Sequence, residues 1–193
     1  MTHFGDRLTE ANRRTATPLC MGIDPHIRMI PAIFGNAQDG AANDTAIRAI
    51  NDFSMACLEQ AIGNVAAIKP QAAFFEQQGP AGMQILQNLG RAAIDSGRLV
   101  IMDAKRGDIG STSTAYAAGW IGHDAPFPSD ALTVNPWLGI DTLAPFLDRA
   151  DATGSGLFIL NRTSNPGAGD LQDQMVDGQP LYQHLAALLA PLA

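Results

Sequence analysis

At 193 residues, 46% of them hydrophobic, the chain has the length of one domain and enough apolar material for a sizeable core. Its net charge of −7 opposes binding to nucleic acid or to an anionic membrane surface, so neither partner is expected and any phosphate has to be held by local donors. No window reaches the roughly 18 apolar residues of a membrane span, and the start, Met1-Thr-His-Phe-Gly-Asp6, lacks a basic segment followed by an apolar one, which makes the cytoplasm the expected compartment.

Short apolar runs alternate with helix-length amphipathic segments, the pattern of parallel strands joined by crossover helices in an α/β fold. The first strand is expected over residues 19–24. A Gly/Asn-rich loop over 35–43 follows, and Asp44 can cap a helix with apolar positions Ile47, Ile50, Phe53, Cys57 and Ile62. The second strand, 65–70, brings Lys69 to its end. Pro80 can start the next helix, whose apolar side is Ile85, Leu86, Leu89 and Ala93. Strands over 99–103, 131–135 and 156–160 follow, with helices over 112–121, 141–150 and 181–192 and a loop over 165–169 that can fold across a ligand. Cys20 and Cys57 form no Cys-x-x-Cys pair and have no clustered His partners, so both are expected as reduced core thiols and no metal site is expected.

The distinctive polar groups collect just after the strands: Asp24, Lys69, Asp103, Lys105, Asn135, and Arg162 to Asn165. Both a β/α barrel and a doubly wound sheet put their chemistry there. The densest stretch is Val100-Ile-Met-Asp-Ala-Lys-Arg-Gly-Asp-Ile-Gly-Ser-Thr112. Residues two apart on a strand share a face, so Ile101, Asp103 and Lys105 are expected on one side and Val100, Met102 and Ala104 on the other. Asp108 follows in a glycine-permitted turn and can return a second carboxylate to the Lys105 ammonium or reach into a neighbouring subunit. On these residues alone, an ion-pair cluster sealing a strand end is as good a reading as a catalytic one. His26, His123 and His184 show no partner pattern and read as surface or capping groups. Gly107-Asp-Ile-Gly110 lacks the lysine of a phosphate-binding P-loop.

The spacing Asp-x-Lys-x-x-Asp-Ile-x-x-Thr, formed by Asp103, Lys105, Asp108, Ile109 and Thr112, resembles the signature of the orotidine 5'-phosphate decarboxylase family. Leu19-Cys-Met-Gly-Ile-Asp-Pro-His26, Ile68-Lys-Pro-Gln-Ala-Ala-Phe-Phe-Glu76, Thr133-Val-Asn-Pro-Trp-Leu-Gly139 and Arg162-Thr-Ser-Asn-Pro-Gly167 resemble segments of its longer bacterial branch in the same order, so the likeness runs from about Phe4 to Asp173. It implies a TIM (β/α)8-type barrel forming a single, incomplete domain over 1–193, and cofactor-free conversion of orotidine 5'-phosphate to uridine 5'-phosphate and CO2 in de novo pyrimidine biosynthesis. By the same resemblance Lys105 protonates C6, Asp103 faces the scissile carboxylate, and Lys69 and Asp108 complete the charged array. Asp24 and Lys69 would hold the ribose hydroxyls, Ser164 and Asn165 would read the pyrimidine edge, and Ile109 would line the pocket. Asp108, Ile109 and Thr112 would cross the interface of a homodimer with shared active sites, Asp108 and Thr112 on the ribose side.

The family's Pro-Gly and Gln-Gly-Gly phosphate-binding segment and its final arginine have no counterpart in the sequence, and five strands are legible where a closed barrel has eight. The expectation is therefore that residues 1–193 alone bind phosphate weakly, are poorly stable and show little activity. Three other readings stay open: a Mg²⁺-dependent sugar-phosphate decarboxylase or aldol-type synthase of the same superfamily, a Schiff-base aldolase using Lys69 or Lys105, and an inactive barrel fragment that only associates with other chains.

Overall fold

The structure, a computed structural model, describes residues 2–35 and 44–192. All but the first residue of the loop expected over 35–43 lies outside the described residues. In chain order the elements are α1 (Phe4–Thr15), β1 (Cys20–Ile23), α2 (Asp44–Ala61), β2 (Ala67–Pro70), α3 (Ala73–Glu76), α4 (Gly79–Asp95), β3 (Leu99–Arg106) and α5 (Gly110–Trp120). There follow β4 (Ala131–Val134), α6 (Ala144–Thr153), β5 (Gly156–Ile159), α7 (Gly169–Gln172), a short antiparallel ribbon of β6 (Met175–Val176) and β7 (Gln179–Pro180), and α8 (Leu181–Leu189). The five expected strands are all present and form one parallel sheet in the order β1-β2-β3-β4-β5. A doubly wound sheet reverses its strand order at a switch point, whereas this one advances without reversal, as the strands of a β/α barrel do.

Burial on both faces explains why β2, β3 and β4 read as apolar runs rather than as alternating ones. On one face Ile23, Ile68, Val100, Met102, Leu132 and Val134 pack under the helices, against Ile50, Leu58, Leu86, Leu89 and Phe146. On the other, Phe4, Leu8 and Ala11 of α1 cover Ala67, Leu99, Ile101 and Ala131. Gly156 is required beneath the Phe4 ring, since a Cβ there would lie 2.5 Å from Cδ1. α1 is further anchored by Arg7, which pairs with Asp130 and donates to the Gly154 carbonyl at 3.0 Å. Asp130 is 1% exposed, and its other oxygen accepts the Val100 N–H at 2.8 Å. α1 thus covers the amino-terminal half of this face, and the carboxyl ends of the strands are left to the loops.

Several expectations shift. Cys20 is exposed rather than a core thiol, because β1 turns Met21 and Ile23 towards the helices and Cys20 and Gly22 the other way. Ile62 lies beyond the end of α2 and is 45% exposed. His123 has a partner, with Nε2 2.8 Å from Asp130 Oδ1. The helix expected from Asp141 begins as a 3-10 turn, Ile140–Leu143, and becomes α-helical only from Ala144. Among the described residues no helix is long and apolar enough to cross a membrane.

Candidate active site

The chain's two lysines converge on one carboxylate where β2 and β3 end. Asp103 is 6% exposed, yet four donors reach it. Its Oδ2 accepts from Lys69 Nζ at 2.7 Å and from Gln71 Nε2 at 3.1 Å; its Oδ1 accepts from Lys105 Nζ at 2.5 Å and from Thr133 Oγ1 at 3.1 Å. A carboxylate offers about four acceptor positions, so this one is saturated. Burial pushes the Asp103 carboxyl up, but the hydrogen bonds and positive charge of Lys105 and Lys69 outweigh it and hold the pKa below the ordinary carboxylate range. The two lysines remain about a third to a half exposed. Two carboxylates around Lys105 were one expectation; within the chain the arrangement is inverted, with one carboxylate between two ammoniums.

The pleat alone does not bring Asp103 and Lys105 together. β3 pairs with β4 at Met102↔Leu132 and next at Arg106↔Val134, so β3 advances four residues while β4 advances two. The surplus bulges, and Lys105 adopts a left-handed backbone with φ of +49°. β3 also runs three residues further than expected, to Arg106, whose guanidinium sits 4.6 Å from the centre of the Trp120 ring and pairs with Glu76.

The remaining expected residues lie around this cluster without joining it. Asp108 Oδ1 accepts the N–H of its neighbour Ile109 at 2.7 Å, and among the described residues it makes no ion pair with Lys105. Ile109 is 62% exposed and Thr112 is exposed at the start of α5. Asp24 is exposed just past β1, and its carbonyl accepts the His26 N–H at 2.7 Å. Ser164 and Asn165 are exposed on the loop after β5. That loop is latched by Thr163 and Gln172: the Thr163 N–H donates to Gln172 Oε1, and Gln172 Nε2 donates to Thr163 Oγ1, both at 2.8 Å. A cavity of about 230 Å³ opens beside it, lined by residues that include Trp137, Leu160, Thr163 and Tyr182.

Gln71 and Thr133 were not singled out in the sequence. Each sits next to a strand end inside a stretch already notable for its motif, but a neutral side chain shows its importance only through the partner it meets in space.

Unreversed parallel βα units, with the charged cluster at the strands' carboxyl ends, place the chain in the barrel class of α/β proteins. The profile described as the orotidine 5'-phosphate decarboxylase / HUMPS family matches residues 17–190, and the chain belongs to that family. It is 42% identical over 196 residues to the orotidine 5'-phosphate decarboxylase of Rhodopirellula baltica, covering 100% of this chain and 65% of that protein. For the Streptomyces coelicolor enzyme of the same name the identity is 44% over 192 residues, with 97% and 66% covered. Among solved structures, an orotidine 5'-phosphate decarboxylase candidate from Streptomyces avermitilis matches with a TM-score of 0.86 at 41% identity, covering 99% of this chain and 64% of that one. Leishmania donovani OMP decarboxylase matches with a TM-score of 0.75 at 33% identity, covering 96% and 64%. The chain spans about 65% of the length of the curated relatives it matches.

Proposed function

We propose that the chain carries the decarboxylating centre of an orotidine 5'-phosphate decarboxylase, which releases CO2 and uridine 5'-phosphate, that residues 1–193 form a single, incomplete barrel domain of it, and that the enzyme acts in the cytoplasm as a homodimer. The observation that carries this reading is the convergence of Lys69 and Lys105 on Asp103 at the carboxyl ends of adjacent strands. Breaking the bond between C6 and its carboxylate leaves an electron pair in the plane of the pyrimidine, where the ring delocalises it poorly. An ammonium beside C6 stabilises that charge and then protonates it. Lys105 supplies this proton; CO2 departs, and the resulting amine recovers its proton from solvent. Asp103 faces the departing carboxylate and holds both lysines in place. Asp24 and Lys69 take the ribose hydroxyls, Ser164 and Asn165 the pyrimidine edge, and Ile109 lines the pocket. The test is conversion of orotidine 5'-phosphate by the protein expressed from its complete reading frame; absence of uridine 5'-phosphate among the products overturns the proposal.

The saturated Asp103 carboxylate has no acceptor position left for a metal ion. Turnover is therefore expected to be unchanged by EDTA. Loss of activity on chelation and recovery with Mg²⁺ would move the chain to the sugar-phosphate chemistry of its superfamily.

Asp108, with no ammonium partner among the described residues, and the exposed Ile109 and Thr112 support a site completed across a two-fold axis. Mixing inactive Asp108→Ala with inactive Lys105→Ala subunits should restore part of the activity, because one of the two sites in each mixed dimer then holds both native residues. Proven subunit exchange without recovery would return Asp108 to the site of its own chain.

A further inference from the structure

We infer that Thr133 is a positioning residue, whose single hydroxyl sets both the backbone bend that turns Lys105 to the site and the carboxylate that Lys105 meets. This rests on the decarboxylase reading for its kinetic consequence but not for its geometry. Thr133 lies in β4, between Leu132 and Val134, the two residues that mark the ends of the β3 bulge. Asp103, Ala104 and Lys105 arch over this one position. A hydroxyl can accept two hydrogen bonds and donate one. Thr133 Oγ1 does all three: it accepts the Ala104 N–H at 3.0 Å and the Lys105 N–H at 2.9 Å, and it donates to Asp103 Oδ1 at 3.1 Å.

Each of these bonds answers a specific need. The bulge withdraws the Ala104 and Lys105 amides from regular ladder pairing, and a buried amide without an acceptor is strongly disfavoured. A left-handed backbone is also unfavourable for a lysine, so the surroundings must hold it there. Thr133 is 8% exposed, which shields these bonds from competing water. With the hydroxyl removed, two amide donors lose their acceptor and Asp103 loses one of its four donors. The bend can then relax towards a regular strand, and Lys105 Nζ leaves the position that Asp103 marks for it. The Gln71 side chain reaches the other Asp103 oxygen, whereas the Ala104 and Lys105 amides both go to Thr133, so Gln71 cannot take over this role.

The experiment compares Thr133→Val, which keeps the shape and drops the hydroxyl, with Thr133→Ser, which keeps the hydroxyl. In the protein expressed from its complete reading frame, Thr133→Val is expected to lower kcat by about 10- to 100-fold while KM for orotidine 5'-phosphate stays within about threefold. Thr133→Ser is expected to restore kcat to within about threefold of wild type. A second readout is independent of turnover. Growth on lysine labelled with ¹³C at Cε makes the side-chain signals of Lys69 and Lys105 visible, and Lys69→Arg and Lys105→Arg variants assign them. Thr133→Val should move the Lys105 signal towards that of a solvated lysine and leave Lys69 nearly in place, and Thr133→Ser should keep both at their wild-type positions. Should the valine variant fail to fold, Thr133→Ala takes its place with the same expectations. An unmoved Lys105 signal, an unchanged kcat in the folded valine or alanine variant, or a serine variant as impaired as the valine one overturns the inference. If the wild-type protein forms no uridine 5'-phosphate, the decarboxylase reading fails while the lysine signals still decide the role of Thr133.

Discussion

Replacing Lys105 by alanine is expected to lower decarboxylation by about 10³-fold or more while nucleotide binding stays measurable. The ammonium acts on charge that develops at C6 only as CO2 departs, so its loss falls on the transition state more than on the bound substrate. Removing it also leaves Asp103 with three donors instead of four, and Lys69 remains to hold the carboxylate at the site. Single-turnover conversion of orotidine 5'-phosphate, set beside calorimetric binding of uridine 5'-phosphate, separates the two effects. A variant that keeps a tenth of wild-type turnover removes Lys105 from the role of acid.

The second large effect is on stability. Asp130→Ala is expected to destabilise the fold by about 3 kcal/mol or more, well above the 0–1 kcal/mol typical of an exposed ion pair. The difference lies in burial: Asp130 is 1% exposed, and it accepts from the Val100 backbone while also facing Arg7 and His123. Its removal leaves the Val100 N–H without its acceptor and takes from Arg7 its carboxylate partner, so that of these two ties between α1 and the sheet the bond to the Gly154 carbonyl remains. α1 covers Ala67, Leu99, Ile101 and Ala131, so loosening it exposes apolar surface in addition to breaking polar bonds. Urea unfolding followed by circular dichroism measures the change; a loss under about 1 kcal/mol would show that the packing of Phe4, Leu8 and Ala11 and the Arg7–Gly154 bond suffice to hold α1.

Much of the architecture was legible because it is written in local periodicity. β2, β3 and β4 are covered on both faces and β1 and β5 are short apolar runs, so all five strands stand out between amphipathic helices. Their boundaries came within a few residues everywhere, the largest miss being at Arg106. Lys69, Asp103 and Lys105 were placed at strand ends by position in the chain, and the structure brings these three together. α1 was missed. Its signal is three apolar residues, Phe4, Leu8 and Ala11, in an otherwise polar segment, and their significance appears only once Gly156 of β5 makes room for the Phe4 ring. Cys20 looked like a core residue because a strand-like run does not reveal which of its faces a helix will cover.

By itself, then, the sequence determined the α/β class, the order of strands and helices, and the chemical types delivered to the strands' carboxyl ends, since each of these depends on residues close together along the chain. Only the tertiary structure decided how those groups face one another. That Asp103 lies between two ammoniums, that β3 bulges at Lys105, and that His123 turns to Asp130 all follow from contacts between separate elements. The bulge is the clearest case: period-two alternation places Asp103 and Lys105 on one face of an ideal strand, but the left-handed turn at Lys105 is held by a hydroxyl on β4, 28 residues away along the chain. A hydrogen bond of that kind forms only after the strands pair, and nothing local to β3 encodes it.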